Sequence, residues 1–162
     1  MNRHTRIMVV AHGKCEFIMA KYIRSNLRLP LEILAEQNGK SSIQISSLNR
    51  FFKRADFKSF ADFTSKYDTV EFDKKSKRLL NFKIFIVMDT DDCKPQEKFD
   101  FESGEMFKQY WFFPYVIPIV STPNIDEVFK RLKLLPTKFK DSEKSKLYNQ
   151  LFPTDKNSKK KR

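Results

Sequence analysis

The sequence is poor in the residues that build disulfide-linked and turn-rich proteins. Its 162 residues include two cysteines, three glycines and seven prolines. Cys15 and Cys93 lie far apart and form no CxxC pair, so we expect neither a disulfide framework nor a cysteine metal site. So few glycines argue against a β-sandwich with many tight turns. The cysteine usage is typical of a reducing, cytoplasmic setting.

Long apolar segments are also missing. No run approaches the roughly 18 residues of a membrane span. The first residues, MNRHTRIMVVAHGKCEF, have a basic start and then an apolar run of only about five residues, whereas a signal peptide needs about 7–15. We therefore expect no membrane segment and no secretion signal.

Positive charge and phenylalanine are present in excess. The formal net charge is +12, from 32 Lys and Arg against 20 Asp and Glu, and there are seventeen Phe. The apolar content predicts a single folded domain over residues 1–153, followed by a disordered basic tail over residues 154–162. The charge favours a polyanionic partner, either nucleic acid or an acidic membrane surface. In the tail, the candidate nucleic-acid contacts are Lys159, Lys160, Lys161 and Arg162.

Hydrophobic patterning predicts the element order β-α-β-α-α-β-α-β-α, followed by a last short helix. The predicted strands lie at residues 6–11, 31–36, 84–88 and 115–120. Helices are predicted at residues 15–27, after a cap at Ser41 or Ser42, at 57–67, 103–110 and 125–135, and from residue 141. This alternation is typical of an α/β domain with a small, parallel-rich central sheet of about four strands flanked by helices.

The stretch KIFIVMDTDD, residues 83–92, organises this prediction. Its apolar run indicates a strand buried on both faces, and the run stops at Asp89, Asp91 and Asp92. Ligands of open α/β sheets bind at the carboxyl ends of the strands, and carboxylates there suit Mg²⁺ or Mn²⁺. Asp89 and Asp91 are two residues apart, so both can lean the same way. A solvated loop with a capping aspartate is the alternative.

Two basic segments are weaker candidates for a functional role. Gly39-Lys40-Ser41-Ser42 echoes the end of a phosphate-binding GxxxxGK[ST] loop, but the first glycine of that motif falls on Leu34, so the motif fails. Residues 74–78, KKSKR, are predicted to be a solvated connector into the central strand.

Three pieces of the chain, in this order, resemble the Toprim fold. They are Gly13-Lys14-Cys15-Glu16 after the first strand, Asp89-Thr90-Asp91 after the central strand, and residues 121–127, STPNIDE, at a strand-to-helix turn. Within that fold the chain is similar to the small Toprim domains of the overcoming-lysogenization-defect and RloB-like nuclease families. The resemblance covers roughly residues 6–135. The family's glutamate at the end of the first strand falls on His12 here.

The resemblance implies a nuclease dependent on Mg²⁺ or Mn²⁺, which acts in phage defence or related DNA processing. In that interpretation Asp89 and Asp91 hold the metal, Glu16 completes the site, and Asp92 is an outer-shell group. His12 would be a proton shuttle or a phosphate contact, and Lys14 would meet a phosphate. Such proteins often act beside an ATPase, which here would be a separate chain.

Two alternatives stay open. The missing first glutamate favours a Toprim module that has lost catalysis and binds nucleic acid or a partner ATPase. A flavodoxin-like or receiver-like domain with an acidic pocket is the other alternative, although the net charge of +12 speaks against it. Neither the choice between DNA and RNA nor the oligomeric state follows from the sequence.

Overall fold

A computed structural model of the chain describes residues 4–154. In this part of the chain the strands are β1 (Ile7–Ala11), β2 (Leu31–Leu34), β3 (Phe72–Asp73), β4 (Arg78–Leu79), β5 (Lys83–Asp89) and β6 (Val116–Ser121). The α-helices are α1 (Lys14–Leu27), α2 (Leu48–Phe51), α3 (Phe60–Lys66), α4 (Pro95–Glu102), α5 (Ile125–Arg131) and α6 (Asp141–Leu151). Short 3-10 helices lie at Glu36–Gly39, Ile45–Ser47, Ala55–Phe57, Glu105–Phe107 and Phe113–Tyr115.

Four strands form one sheet in the order β2-β1-β5-β6, and every neighbouring pair is parallel. The predicted α/β class, with a parallel sheet of four strands flanked by helices, is confirmed. β5 lies between β1 and β6, as its continuous apolar run predicts, and Ile84, Ile86 and Met88 are fully buried. β3 and β4 form a separate antiparallel hairpin.

The strand β6 lies at one edge of the sheet. Among the described residues β6 pairs with β5 alone, so Pro118 lies on an edge strand, where its missing N–H is tolerated.

Because all four strands run the same way, their carboxyl ends lie together along one side of the sheet, which we call the carboxyl edge. β1 ends there at Ala11, and β5 ends there at Asp89. The residues that follow these two strands are therefore neighbours in space.

The larger apolar core is built mainly from phenylalanine. Phe52 is 2% exposed, and its ring centroid lies 4.9–6.1 Å from five other aromatic rings, those of Phe51, Phe57, Phe107, Tyr110 and Phe112. These contacts are mostly edge-on or tilted, which is the arrangement that aromatic quadrupoles favour. The same core includes Met8 and Val10 of β1, so it ties the loop-rich middle of the chain to the sheet.

A second core joins three helices. It contains Cys15 and Ile18 of α1, Ile125 and Phe129 of α5, and Tyr148 of α6. This packing brings α6, which is distant in sequence from the first motif, against the helix that follows β1.

The prediction of a helix at residues 103–110 is wrong. Ser103 is the C-cap of α4 and not an N-cap. The start signal lies upstream, because Pro95 occupies the first turn and Glu97 Oε2 accepts a hydrogen bond from Lys94 N at 2.9 Å. Gly104 then adopts a φ of +77°, which ends the helix.

Two other helices begin later in the sequence than predicted. The helix predicted after Ser41 or Ser42 is replaced by the 3-10 helix Ile45–Ser47 and the single turn α2, whose N-cap is Ser47. The helix predicted from residue 57 begins as α3 three residues later, because Ser59 Oγ accepts a hydrogen bond from Asp62 N at 3.1 Å. Residues 74–77 of the predicted basic connector form the tip of the β3–β4 hairpin, and Arg78 is the first residue of β4.

Within residues 4–154 no helix is both long enough and apolar enough to cross a bilayer. The predicted contacts of the tail, at Lys159, Lys160, Lys161 and Arg162, lie outside the described residues.

Candidate functional site

A pocket of about 300 Å³ opens at the carboxyl edge of the sheet. The ends of β1 and β5 and the first turn of α1 form one part of its lining, through His12, Glu16 and Asp89. The turn after β2 and the helices α5 and α6 form the rest. The structure therefore brings together four of the predicted site residues, His12, Lys14, Glu16 and Asp89.

Glu16 is the most deeply buried carboxylate of this site. It is 2% exposed, and its Oε2 accepts a hydrogen bond from Gly13 N at 3.0 Å. Its Oε1 is buried without any hydrogen-bond partner. Burial raises the pKa of Glu16, although the hydrogen bonds and the nearby His12 act in the opposite direction. An orphaned carboxylate oxygen in a polar pocket marks a place where a positive partner would bind.

Asp89 faces the same pocket from the end of β5. Its Oδ1 accepts a hydrogen bond from Ile125 N at 3.2 Å, in the first turn of α5, and its Oδ2 lies 3.7 Å from His12 Nε2. Burial and then the negative charge of Glu16 raise the pKa of Asp89 to about 7. Without a cation, the two carboxylates therefore retain protons at pH values where exposed carboxylates are ionised.

The orientation of His12 follows from one backbone oxygen. His12 Nδ1 lies 2.8 Å from Ile43 O, and a carbonyl oxygen only accepts, so Nδ1 carries the proton in this contact. The other nitrogen, Nε2, then presents a lone pair toward Asp89 when the ring is neutral. Ile43 N also donates to His12 O at 2.7 Å, so the two segments are joined by a pair of hydrogen bonds.

The Asn38-Gly39 turn packs directly on the start of α1. Gly39 has a φ of +83°, and a Cβ there would lie 3.0 Å from Lys14 Cα and 3.2 Å from Gly13 O. Only glycine allows both the left-handed backbone and this close approach. The turn brings Lys40 and Ser42 into the lining of the pocket.

Helix α6 supplies the far wall of the pocket with a charged network. Lys144 Nζ lies 2.6 Å from Asp126 Oδ2, and Tyr148 OH donates to Asp126 Oδ1 at 2.7 Å. Burial opposes the charge of Lys144, but the hydrogen bond to Asp126 and the neighbouring charges raise the pKa of the amine overall. Burial also raises the pKa of Cys15 to about 12, so this thiol is protonated and is not a thiolate ligand.

The other two aspartates of the Asp-rich turn lie outside the pocket lining. Asp91 is exposed, and its Oδ2 accepts a hydrogen bond from Asn124 Nδ2 at 3.1 Å. Its charge still contributes to the raised pKa of Asp89. Asp92 is exposed as well. The strand ends at Asp89, so the alternation of side chains that would place Asp91 beside Asp89 does not continue.

The residues present fit a cation held by two carboxylates better than one held by three. In the part of the chain that the structure describes, no group of three or more His, Cys, Asp or Glu side chains is arranged to hold a metal ion. Mg²⁺, however, is commonly held by one or two carboxylates together with waters and substrate phosphates. Glu16, with its orphaned Oε1, and Asp89 provide that pair. The assignment of Asp91 as a third ligand stays a prediction.

Sequence patterns missed Lys40, Ser42, Asp141 and Lys144, which also line the pocket. A signal existed for the first two: they follow β2, whose carboxyl end lies at the same sheet edge. No local pattern identifies Asp141 and Lys144, because their position depends on how α6 packs against α1. Comparison with protein-family models, with curated proteins and with solved structures found no match.

Proposed function

We propose that the chain is a metal-dependent nuclease that cleaves phosphodiester bonds of nucleic acid, of the Toprim type that its motifs resemble. One observation carries the proposal: the buried carboxylate of Glu16 and the partly buried carboxylate of Asp89 share a pocket with three lysines at the carboxyl edge of a parallel sheet. Bound Mg²⁺ or Mn²⁺ would polarise a phosphoryl oxygen and generate a nucleophilic water.

The charge of the pocket supports a substrate that arrives with a cation. Three carboxyl groups, those of Glu16, Asp89 and Asp141, face three lysines, Lys14, Lys40 and Lys144. Lys144 is already paired with Asp126, which leaves Lys14 and Lys40 to contact an anion beside the carboxylates that would hold a cation. A pocket with both kinds of group suits a phosphate and a divalent cation together, which is how Mg²⁺ meets its substrates in many phosphoryl-transfer enzymes.

The chain's own groups divide the work as follows. Glu16 and Asp89 hold the cation, and Asp89 is oriented by the N–H of Ile125. His12 Nε2 accepts a proton from the attacking water, since Ile43 O keeps the proton of the ring on Nδ1. Lys14 and Lys40 are exposed and bind phosphate oxygens.

The alternative function is a module that binds nucleic acid, or a separate ATPase chain, without cleavage. Two observations favour it: His12 stands at the place of the family glutamate, and residues 4–154 hold no cluster of three metal-ligating side chains. The two functions differ in one measurable property, because only the nuclease needs a cation in the pocket.

The deciding experiment is a cleavage assay on end-labelled single-stranded and duplex DNA and on RNA, with Mg²⁺, with Mn²⁺ and with EDTA. The wild type is expected to cut at least one substrate only when a divalent cation is present. Asp89→Asn and Glu16→Gln are expected to abolish cutting. Asp68→Asn, which makes the same substitution at an exposed site elsewhere, is the matched control and is expected to retain it.

Failure to cut any substrate with either metal, together with binding that is unchanged in Asp89→Asn, would establish the binding module. Cutting that survives both Asp89→Asn and Glu16→Gln would refute the assignment of this pocket as the active site.

A further inference from the structure

A second groove adjoins the carboxylate pocket. It has a volume of about 390 Å³, and Ser42 lines both cavities. Its other polar lining comes from Ser41, Ser47, Arg50 and Arg54, with one carboxylate, Glu36. The lining therefore holds two arginines and one carboxylate, and a second carboxylate, that of Asp56, pairs with Arg54 from outside the lining.

Two hydrogen bonds between Ile43 and His12 fix the position of the groove relative to the pocket. Ile43, which also lines the groove, donates its N–H to His12 O at 2.7 Å and accepts from His12 Nδ1 at 2.8 Å. A ligand group in the groove is therefore held at a defined place relative to His12 and Asp89. A polymer that binds in the pocket can continue into the groove past Ser42.

Arg54 is held in place before any ligand arrives. Its Nε and Nη2 donate to the two carboxylate oxygens of Asp56 at 3.2 and 3.3 Å, and Tyr67 OH donates to Asp56 Oδ2 at 2.7 Å. The guanidinium also lies 5.2 Å from the centroid of the Phe51 ring. A guanidinium has five N–H donors, so the pair with Asp56 leaves others for a ligand.

Arg50 is the second cation of the groove. Its side chain is exposed, and it makes no hydrogen bond or ion pair with the described residues. Three serine hydroxyls beside two guanidinium groups are the donors that phosphate oxygens accept from most often. The one aromatic ring in the lining, Phe51, is 7% exposed, so the groove offers no open ring on which a base could stack.

We infer that this groove binds the phosphate backbone of the nucleic-acid strand whose scissile phosphate lies in the neighbouring pocket. The inference rests on the proposed nuclease function and adds a substrate-binding subsite to it. Because the contacts go to phosphates and not to bases, recognition here is independent of sequence.

The test measures binding without cleavage. The affinity of Asp89→Asn protein for a short fluorescein-labelled single-stranded oligonucleotide of mixed sequence is measured by anisotropy, in EDTA, across a range of salt concentrations. On that background Arg50→Ala is compared with Arg50→Lys, which keeps the charge. The matched control is Arg78→Ala, because Arg78 is an exposed arginine on β4, outside the groove.

The slope of log K against log salt is negative, and the loss of one phosphate contact on a single strand makes it less steep by about 0.7. This corresponds to about a fivefold loss of affinity at about 0.1 M salt. We expect this change in Arg50→Ala, a slope close to that of the unsubstituted groove in Arg50→Lys, and no change in Arg78→Ala. Equal losses in Arg50→Ala and Arg78→Ala would overturn the groove, and so would an absence of binding at low salt.

Three further outcomes test the groove, and the last two of them separate it from the nuclease. If poly-glutamate displaces the probe as well as an unlabelled strand does, the groove binds acidic polymers in general and the inference fails. If the wild type cuts no substrate but the salt slope depends on Arg50, the groove stands and the nuclease proposal falls. If the wild type cuts and Arg50→Ala changes neither binding nor cleavage, the groove alone falls.

Discussion

Asp89→Asn should make the cation-free protein more stable at alkaline pH. The Asp89 side chain is 11% exposed, and its pKa is raised to about 7 by burial and by Glu16, against about 3.9 for an unperturbed aspartate. Between these two pKa values the folded state binds more protons than the unfolded state, so the free energy of unfolding falls as pH rises from about 4 to about 7.

The size of the effect follows from the shift. About three pKa units correspond to about 4 kcal/mol, and pocket water screens part of this, so we expect Asp89→Asn to stabilise by about 2–4 kcal/mol at pH 8. For a chain of this length the gain raises Tm by about 5–15 °C. At pH 4.5 the folded aspartic acid is already protonated, so the gain should shrink to about 1 kcal/mol or less.

The measurement is urea unfolding of both proteins in EDTA at pH 4.5 and pH 8, followed by fluorescence of Trp111. Asp68→Asn is the control, because Asp68 is exposed and its charge is not among those that raise the pKa of Asp89. Mg²⁺ at about 100 times its dissociation constant should stabilise the wild type by about 2.7 kcal/mol and leave Asp89→Asn unchanged. A variant no more stable than the wild type at pH 8, or equally more stable at both pH values, would refute the argument.

Three further predictions concern the site and the core. His12→Ala should abolish cleavage in the nuclease assay, whereas His12→Glu, which restores the family pattern, should retain it with Mg²⁺; equal loss in both would remove His12 from the chemistry. Gly39→Ala should destabilise the protein by about 2–3 kcal/mol in urea unfolding, because the new residue would have a positive φ and a Cβ 3.0 Å from Lys14 Cα. Gly104→Ala also has a positive φ, +77°, but its Cβ would have its nearest contact at 3.5 Å, so it should cost only about 1 kcal/mol. Phe52→Ala should cost about 3–5 kcal/mol, and a loss below about 1 kcal/mol would contradict its central position in the aromatic core.

The sequence predicted the sheet because its signals are local. The apolar run that ends at Asp89 identifies a strand buried on both faces, and Pro118 identifies an edge strand. The helix predicted from Ser103 failed because two start signals competed. Pro95 and the backbone contact of Glu97 began a helix earlier, and its end took the place of the predicted start.

Only those site residues that lie just after the carboxyl end of a strand could be predicted from the sequence. Glu16 and Asp89 come together because β1 and β5 are parallel neighbours, which the alternation of elements implies. The same rule, applied to the turn after β2, would have included Lys40 and Ser42. The position of Lys144 depends on the packing of α6 against α1, which lies more than one hundred residues away in sequence, and on the ion pair with Asp126 of α5. No short sequence window contains the contacts between α1 and α6.

The physical cost of the carboxylate pair bears on the choice between the two functions. A domain that only binds polyanions gains nothing from a buried Glu16 with an orphaned oxygen beside an Asp89 whose pKa is about 7. Burial of each group lowers stability once the group is ionised, and the ionised groups repel the phosphate that the lysines attract. An asparagine at position 89 could still accept the hydrogen bond of Ile125 and would remove both penalties. The cost is offset only when a cation occupies the pocket, because the cation neutralises the pair and then attracts phosphate. The buried carboxylates therefore favour a cation-dependent reaction over passive binding.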